Sequence, residues 1–174
     1  MFKILKTNKT YEDKLYNRIL LLSRNKFLYK TIGLNDSFQN RINLIFIHIS
    51  FIFIKVKQKD GNKSYKIFYQ KMFDLIFNKI ELNMREIGYG DTTINKNMRH
   101  LVKVFYSILL NCENYKKMNL ADKNKFFNKY IKLNNIINTT NNKGLIEYFD
   151  KFEAFCFDLS SDSVLRGELN FKYK

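Results

Sequence analysis

The densest run of residues able to do chemistry is Glu81-Leu-Asn-Met-Arg-Glu-Ile-Gly-Tyr-Gly-Asp91, where a helix bearing Arg85 and Glu86 ends in two glycines. Gly88 and Gly90 free the backbone to turn and let another surface come close. The plain structural reading is a helix–turn–helix corner with a left-handed stop and an Asp cap on the next helix. A phosphate loop is poorly supported, because no Lys-Ser or Lys-Thr follows the Gly-x-Gly and no strand precedes it. His48 and His100 have no third ligand or nucleophile at a recognisable spacing. His48, on an apolar helix, reads as a core histidine hydrogen-bonded to a carboxylate or backbone group. His100 sits among Lys96, Arg99 and Lys103 on a solvated basic face. Cys112 and Cys156 form no C-x-x-C pair, so neither a zinc nor a redox motif is present, and a reducing compartment is the easier reading. Asp122 and the Glu147/Asp150 pair are explained by caps and i,i+3 contacts. These residues point away from an enzyme, and no cofactor or metal is expected. A helical synthase acting on an apolar substrate would need acidic metal-binding clusters that this sequence lacks.

Such residues need a scaffold, and 174 residues with 45% hydrophobic content suffice for one core, so a single domain over 1–174 is expected. The net charge of +15 directs attention to nucleic acid, ribosome or anionic membrane. Part of that charge is coding bias: Lys, Asn, Ile, Phe and Tyr are over-used while Pro and Trp are absent, as an AT-rich gene dictates. The basic run Lys116 to Lys132, interleaved with Phe126, Phe127 and Tyr130, could suit RNA through phosphate contacts and stacking. Its plainer reading is an amphipathic helix with a solvated Lys face. A basic helical module binding RNA or ribosome without sequence specificity is therefore the alternative function. Met1 to Lys14 lacks the apolar core of a signal peptide and the Arg- and Ser-rich character of a transit peptide, which favours a bacterial-type cytosolic protein or a chain already trimmed.

The apolar spacing predicts an all-α bundle of about six helices with a short extended C-terminal tail. The first runs from Tyr11 to Tyr29, and Thr31 to Ser37 connects it to the next, with Asn35, Asp36 or Ser37 as cap. Arg41 to Gln58 is rich in β-branched residues but too long for a strand, so it is a second helix, apolar all round and central. A membrane span is the rival reading; the apolar run is shorter than the roughly 18–20 residues a span needs, and Asn43, His48 and Ser50 interrupt it. Lys59 to Lys63 is a turn. A third helix runs from Tyr65 to Ile87, and a fourth is capped by Asp91, Thr92 or Thr93 and reaches Cys112. A fifth runs from Asn119 through Ile131, and a sixth opens at Asn141 or Asn142 and runs to Phe157. Ser160 to Lys174 reads as one short turn and an extended end.

Two blocks resemble the ubiquinol–cytochrome c chaperone family. The first is Phe27-Leu-Tyr-Lys-Thr-Ile-Gly-Leu-Asn-Asp36 followed by Arg41-Ile-Asn-Leu-Ile-Phe-Ile-His48. The second is Gln70-Lys-Met-Phe-Asp-Leu-Ile-Phe77 leading into Asn83-Met-Arg-Glu-Ile-Gly-Tyr-Gly-Asp91, then Lys96 and Phe105-Tyr106. Leu165, Gly167, Leu169 and Phe171 are a fainter match, so the likeness covers about residues 11–172. Asn40 stands where the family has a glycine, and Asn134 to Asn142 has no counterpart. The resemblance implies a non-enzymatic assembly factor of the cytochrome bc1 complex that holds newly made cytochrome b until haem and partner subunits are added. It also implies a small partner protein and the ribosome as companions, peripheral contact with an anionic membrane, and a place at the cytoplasmic face of a bacterial inner membrane, or the matrix side in an organelle. On this basis Arg41, His48, Asn83, Arg85, Glu86, Gly88, Gly90, Asp91 and Lys96 are the expected client-binding residues.

Overall fold

The computed structural model describes residues 10–59, 63–134 and 142–173. Among them run eight α-helices: α1 Tyr11–Ser23, α2 Lys26–Lys30, α3 Phe38–Lys59, α4 Lys63–Ile87, α5 Asp91–Glu113, α6 Leu120–Tyr130, α7 Lys143–Asp158 and α8 Ser161–Leu165, with a 3-10 turn at Tyr115–Lys117. Six are long and two are single turns of five residues. No strand occurs among the described residues, and Leu34 and Leu133 make one isolated antiparallel bridge. The fold is all-α, as the apolar spacing predicts.

Local chemistry sets the helix ends. Thr10 and Asp13 form a reciprocal capping box at the start of α1, with Thr10 Oγ1 accepting from Asp13 N at 3.1 Å. The helix predicted from Tyr11 to Tyr29 is in fact two. The Ser23 hydroxyl donates to Leu20 O at 2.9 Å, and Asn25 Oδ1 accepts from Phe27 N at 3.0 Å, so the chain restarts as α2. Leu28 is buried, so the apolar stripe continues across the break and conceals it. Of the three cap candidates before α3, Ser37 serves: its Oγ accepts from Asn40 N at 3.2 Å. Asn119 caps α6 by accepting from Asp122 N at 2.9 Å. The predicted caps of α5 are corrected: Gly90 occupies the cap position without a side-chain bond, and Asp91 is the first helical residue. Asn142 precedes α7, but its amide donates to Asn128 Oδ1 at 2.7 Å instead of capping its own helix. The centre of the Lys59–Lys63 turn, Asn141 with most of the polar stretch, and the residues before Thr10 lie outside the described residues.

Helix α3 lies at the centre, packing against α1, α4, α5, α7 and α8. Its Leu44, Phe46, Ile47, Ile49, Ile52, Phe53 and Val56 are wholly buried. Phe46 meets Phe77 and Phe105 at ring-centroid distances of 5.5 and 5.2 Å. Each such side chain contributes roughly 1.5–3 kcal/mol on burial, which makes α3 the main source of core stability. Its polar interruptions are satisfied internally. Asn43 Nδ2 donates to Tyr130 O at 2.6 Å, and Ser50 Oγ donates to Phe46 O at 2.7 Å. No helix among the described residues is long and apolar enough to cross a membrane.

Asn40 ties two loops together. Its Nδ2 donates to Asn35 O and Lys132 O, both at 2.7 Å, and its Oδ1 accepts from Lys132 N at 2.9 Å. At the other end of the chain, Gly167 adopts φ +71 and the extended segment after it returns across the bundle. There Leu169 is buried and Phe171 packs on Tyr148 and Phe152.

Candidate functional site

The C-terminal half of α1, the start of α3 and the end of α4 leave an open groove of about 210 Å³. Tyr16 and Leu20 of α1, Phe38, Ile42 and Ile45 of α3, and Ile80 and Ile87 of α4 give it an apolar floor. Arg24, Arg41, Asn83 and Glu86 supply polar groups to the same groove. Ile87 is 61% exposed, and Leu82 and Tyr89 at the same end of α4 are exposed as well. Tyr16, Ile42, Ile45 and Ile80 are themselves buried, so the apolar surface left open in the groove is that of Leu20, Phe38 and Ile87. Arg41 is fixed by a two-pronged bond to Asp36, Nε to Oδ1 at 2.6 Å and Nη2 to Oδ2 at 2.8 Å. That bond holds the Asp36 carboxyl below its ordinary pKa and the Arg41 guanidinium above its own.

Beyond the groove, α4 turns into α5 through two stacked devices. Gly88 takes φ +97, while its N–H donates to Arg85 O at 3.0 Å and Tyr89 N–H donates to Met84 O at 3.1 Å. This double bond pattern with a left-handed glycine is a Schellman stop. Arg85 then straps the corner, its Nη2 reaching Glu81 at 2.8 Å and its Nη1 reaching Asp91 at 2.6 Å. Gly90, by contrast, has ordinary extended backbone at φ −74. A Cβ built on Gly88 or Gly90 meets nothing within 4 Å, so the outer side of the corner is open.

The residues singled out from the sequence therefore fall into separate places. Arg41, Asn83 and Glu86 come together in the groove; Arg85, Gly88, Gly90 and Asp91 build the corner beside it; Lys96 is exposed one turn into α5. His48 belongs to neither, and its assignment to a client-facing surface is corrected. It is fully buried, with Nδ1 2.7 Å from Leu44 O and Nε2 2.9 Å from the Tyr148 hydroxyl. A carbonyl oxygen only accepts, so Nδ1 carries the proton and Nε2 accepts from Tyr148. Burial pulls the His48 pKa down to about 4, against a smaller upward effect of the Leu44 carbonyl. Tyr16, Leu20, Arg24 and Phe38 join the groove although their residue types and spacing carry no motif. Tyr16 and Leu20 stand four residues apart beside the Leu15/Ile19 stripe, which makes the apolar band of α1 wider than one packed face needs, and that width was the available signal.

The RNA reading loses its stacking groups. Phe126 and Tyr130 are buried, and Phe127 is wholly so, stacked on Phe149 at 5.4 Å. Both cysteines are buried, and desolvation pushes their thiols well above the ordinary range. Among the described residues no group of three or more His, Cys, Asp or Glu is placed to hold a metal ion.

Comparison with known proteins places these features in context. The fold is similar to the crystal structure of the Cbp3 homolog from Brucella abortus, with a TM-score of 0.77 at 18% sequence identity, covering 94% of this chain and 89% of that one. Among curated proteins, none matches the sequence. The family model described as ubiquinol-cytochrome C chaperone matches residues 30–171, a span that takes in the groove's α3 and α4 walls, the glycine corner and the returning C-terminal segment. This chain belongs to the ubiquinol–cytochrome c chaperone family.

Proposed function

We propose that this protein is a non-enzymatic chaperone for assembly of the cytochrome bc1 complex, and that the groove between α1, α3 and α4 receives an apolar segment of newly made cytochrome b. Family membership supports the role, and one observation supports the location: an open apolar floor meets Arg24, Arg41, Asn83 and Glu86 within a single groove. A membrane-protein segment waiting for its partners offers apolar side chains and a few polar or ionised groups. The floor shields the former from water and the rim pairs with the latter. Lys96 and the Arg85 corner extend the polar rim onto α5. In this reading the protein works where cytochrome b is inserted, at the cytoplasmic face of a bacterial inner membrane or the matrix side in an organelle.

Two experiments test it. Deleting the gene and quantifying assembled bc1 complex beside an unrelated respiratory complex should show selective loss of bc1; equal levels of both in the deleted cells refute the role. A photo-crosslinking residue at Leu20 or Asn83 should capture nascent cytochrome b, and the same residue at Lys125 on α6 should not. Capture only from Lys125 moves the client elsewhere. RNA binding predicts instead an affinity that collapses with salt.

A further inference from the structure

The two ends of the described chain meet at a second cleft, remote in chemistry from the groove. Gly167 crosses α1 so closely that a Cβ there would lie 2.5 Å from Tyr11 O. Beside this crossing is an opening of about 390 Å³ lined by Tyr11, Lys14 and Arg18 of α1 and by Arg166, Glu168 and Asn170 of the returning segment. Its side chains are polar, three are cationic, and only Glu168 is anionic. Glu168 Oε1 lies 3.4 Å from Arg166 Nε. Among the described residues no carboxylate forms an ion pair with Lys14 or Arg18, and the acids nearest them in α1 are engaged: Glu12 pairs with Lys71 at 3.4 Å and Asp13 accepts from the Thr10 hydroxyl at 3.0 Å. The cleft therefore holds an excess of two positive charges that the fold does not neutralise.

We propose that this cleft binds a phosphoryl anion. The Arg18 guanidinium and the Nη groups that Arg166 keeps beyond its contact with Glu168 offer N–H donors that match phosphate oxygens, Lys14 over the Tyr11 ring adds a compact charge, and the Tyr11 hydroxyl and Asn170 amide can complete the donor set. The missing apolar floor separates it from a site for a hydrophobic segment. A phosphate seated there bridges α1 and the C-terminal segment, so its binding stabilises the closure of the chain's end over the bundle. The ligand is a phosphomonoester in solution or the phosphodiester of a lipid headgroup, which share this chemistry. The proposal does not depend on the client groove.

The test uses the full-length protein. Calorimetric titration with inorganic phosphate and with glycerol 3-phosphate, against chloride at matched ionic strength, is run beside flotation with phosphatidylcholine vesicles with and without phosphatidylglycerol. The proposal expects saturable binding in at least one arm, weakened tenfold or more in Arg18→Gln/Arg166→Gln. The charge-matched control Lys103→Gln/Lys125→Gln should bind as the wild type does. Binding of the soluble phosphates identifies a phosphorylated small molecule, and binding confined to phosphatidylglycerol vesicles identifies a headgroup. Absence of binding in both arms, or equal weakening in the two double variants, overturns the site. Circular dichroism verifies folding; should Arg18→Gln/Arg166→Gln unfold, Lys14→Gln takes its place under the same criteria.

Discussion

Replacing Gly167 by alanine sets two costs against the fold, and both are read from the geometry. At φ +71 any side chain is strained, at about 1 kcal/mol. The new methyl also lies 2.5 Å from Tyr11 O, 3.0 Å from Lys14 Cβ and 3.3 Å from Leu15 N. The first and third of these atoms are helix backbone, and Leu15 is wholly buried, so α1 cannot yield without dragging its core face outward. Overpacking of that kind costs about 1–3 kcal/mol. The total is about 2–4 kcal/mol, which for a domain of this size lowers the melting midpoint by roughly 5–15 °C. Gly88→Ala isolates the first cost: φ is +97, but nothing lies within 4 Å, so about 1 kcal/mol and roughly 2–4 °C are expected. Gly90→Ala carries neither. Its loss of a tolerated N-cap glycine, roughly 0.5–1 kcal/mol, is offset by a similar gain from a less flexible unfolded chain. Thermal unfolding followed by circular dichroism should rank the three in that order. If Gly167→Ala melts with Gly88→Ala, the close approach over α1 is not what demands the glycine.

Other expectations follow from buried polar groups. Asn40→Gly leaves Lys132 N without its acceptor and takes one of two donors from Asn35 O and Lys132 O, which keep Ser37 N and Asn35 N; a loss of roughly 1–3 kcal/mol should appear in urea unfolding. His48 is held neutral in the fold with its pKa near 4, whereas the unfolded chain takes up a proton near 6.5. Stability therefore falls as pH drops from about 6.5 towards 4 and this contribution then levels off, for a total of about 3 kcal/mol. His48→Gln should be less stable at neutral pH and show a shallower decline over that window; equal slopes in the two proteins contradict the burial argument. Tyr148→Phe removes the donor to Nε2 and should cost about 1–3 kcal/mol. Arg85→Ala and Gly90→Val should both fold, since Arg85 is a solvated strap and Gly90 has an ordinary backbone with open space, so full bc1 assembly in both variants removes the corner from client binding.

Much of the architecture was legible because burial is periodic. The all-round apolar character of α3 predicted its central place, and the long stripes of α4, α5 and α7 predicted their buried faces. What escaped was decided by single hydrogen bonds. Nothing in the Tyr11–Tyr29 pattern distinguishes one helix from two until Asn25 is seen accepting from Phe27 N. Asp91 looks like a cap by residue type, yet Arg85 at 2.6 Å draws its carboxylate away from the α5 amides. His48 shows how a motif mixes roles: it stands seven residues from Arg41 on the same helix, within about 20° of the same face, yet two turns further along the axis its surroundings differ. At the exposed start of α3 Arg41 meets Asp36 and the groove, whereas His48 is enclosed by Tyr148, Phe149 and Phe152.

The separation of groove from corner bears on how such a surface can act as a chaperone. An open apolar groove persists without a client only if the walls around it hold their shape, because helices free to close on one another would bury it. Here the end of α4 is fixed by the Gly88 stop and by Arg85 bridging to α5, and the start of α3 is fixed by Asn40 and by Ser37. Neither device requires a client. In the proposed role the groove is thus preorganised, so ordering costs would fall on the incoming segment alone, and release would need no unfolding of the host. Loosening the wall with Asn40→Gly should therefore weaken capture of cytochrome b at positions Leu20 and Asn83 even under conditions where the variant remains folded. A variant that is less stable yet crosslinks at full yield would show that the groove forms around its client rather than before it.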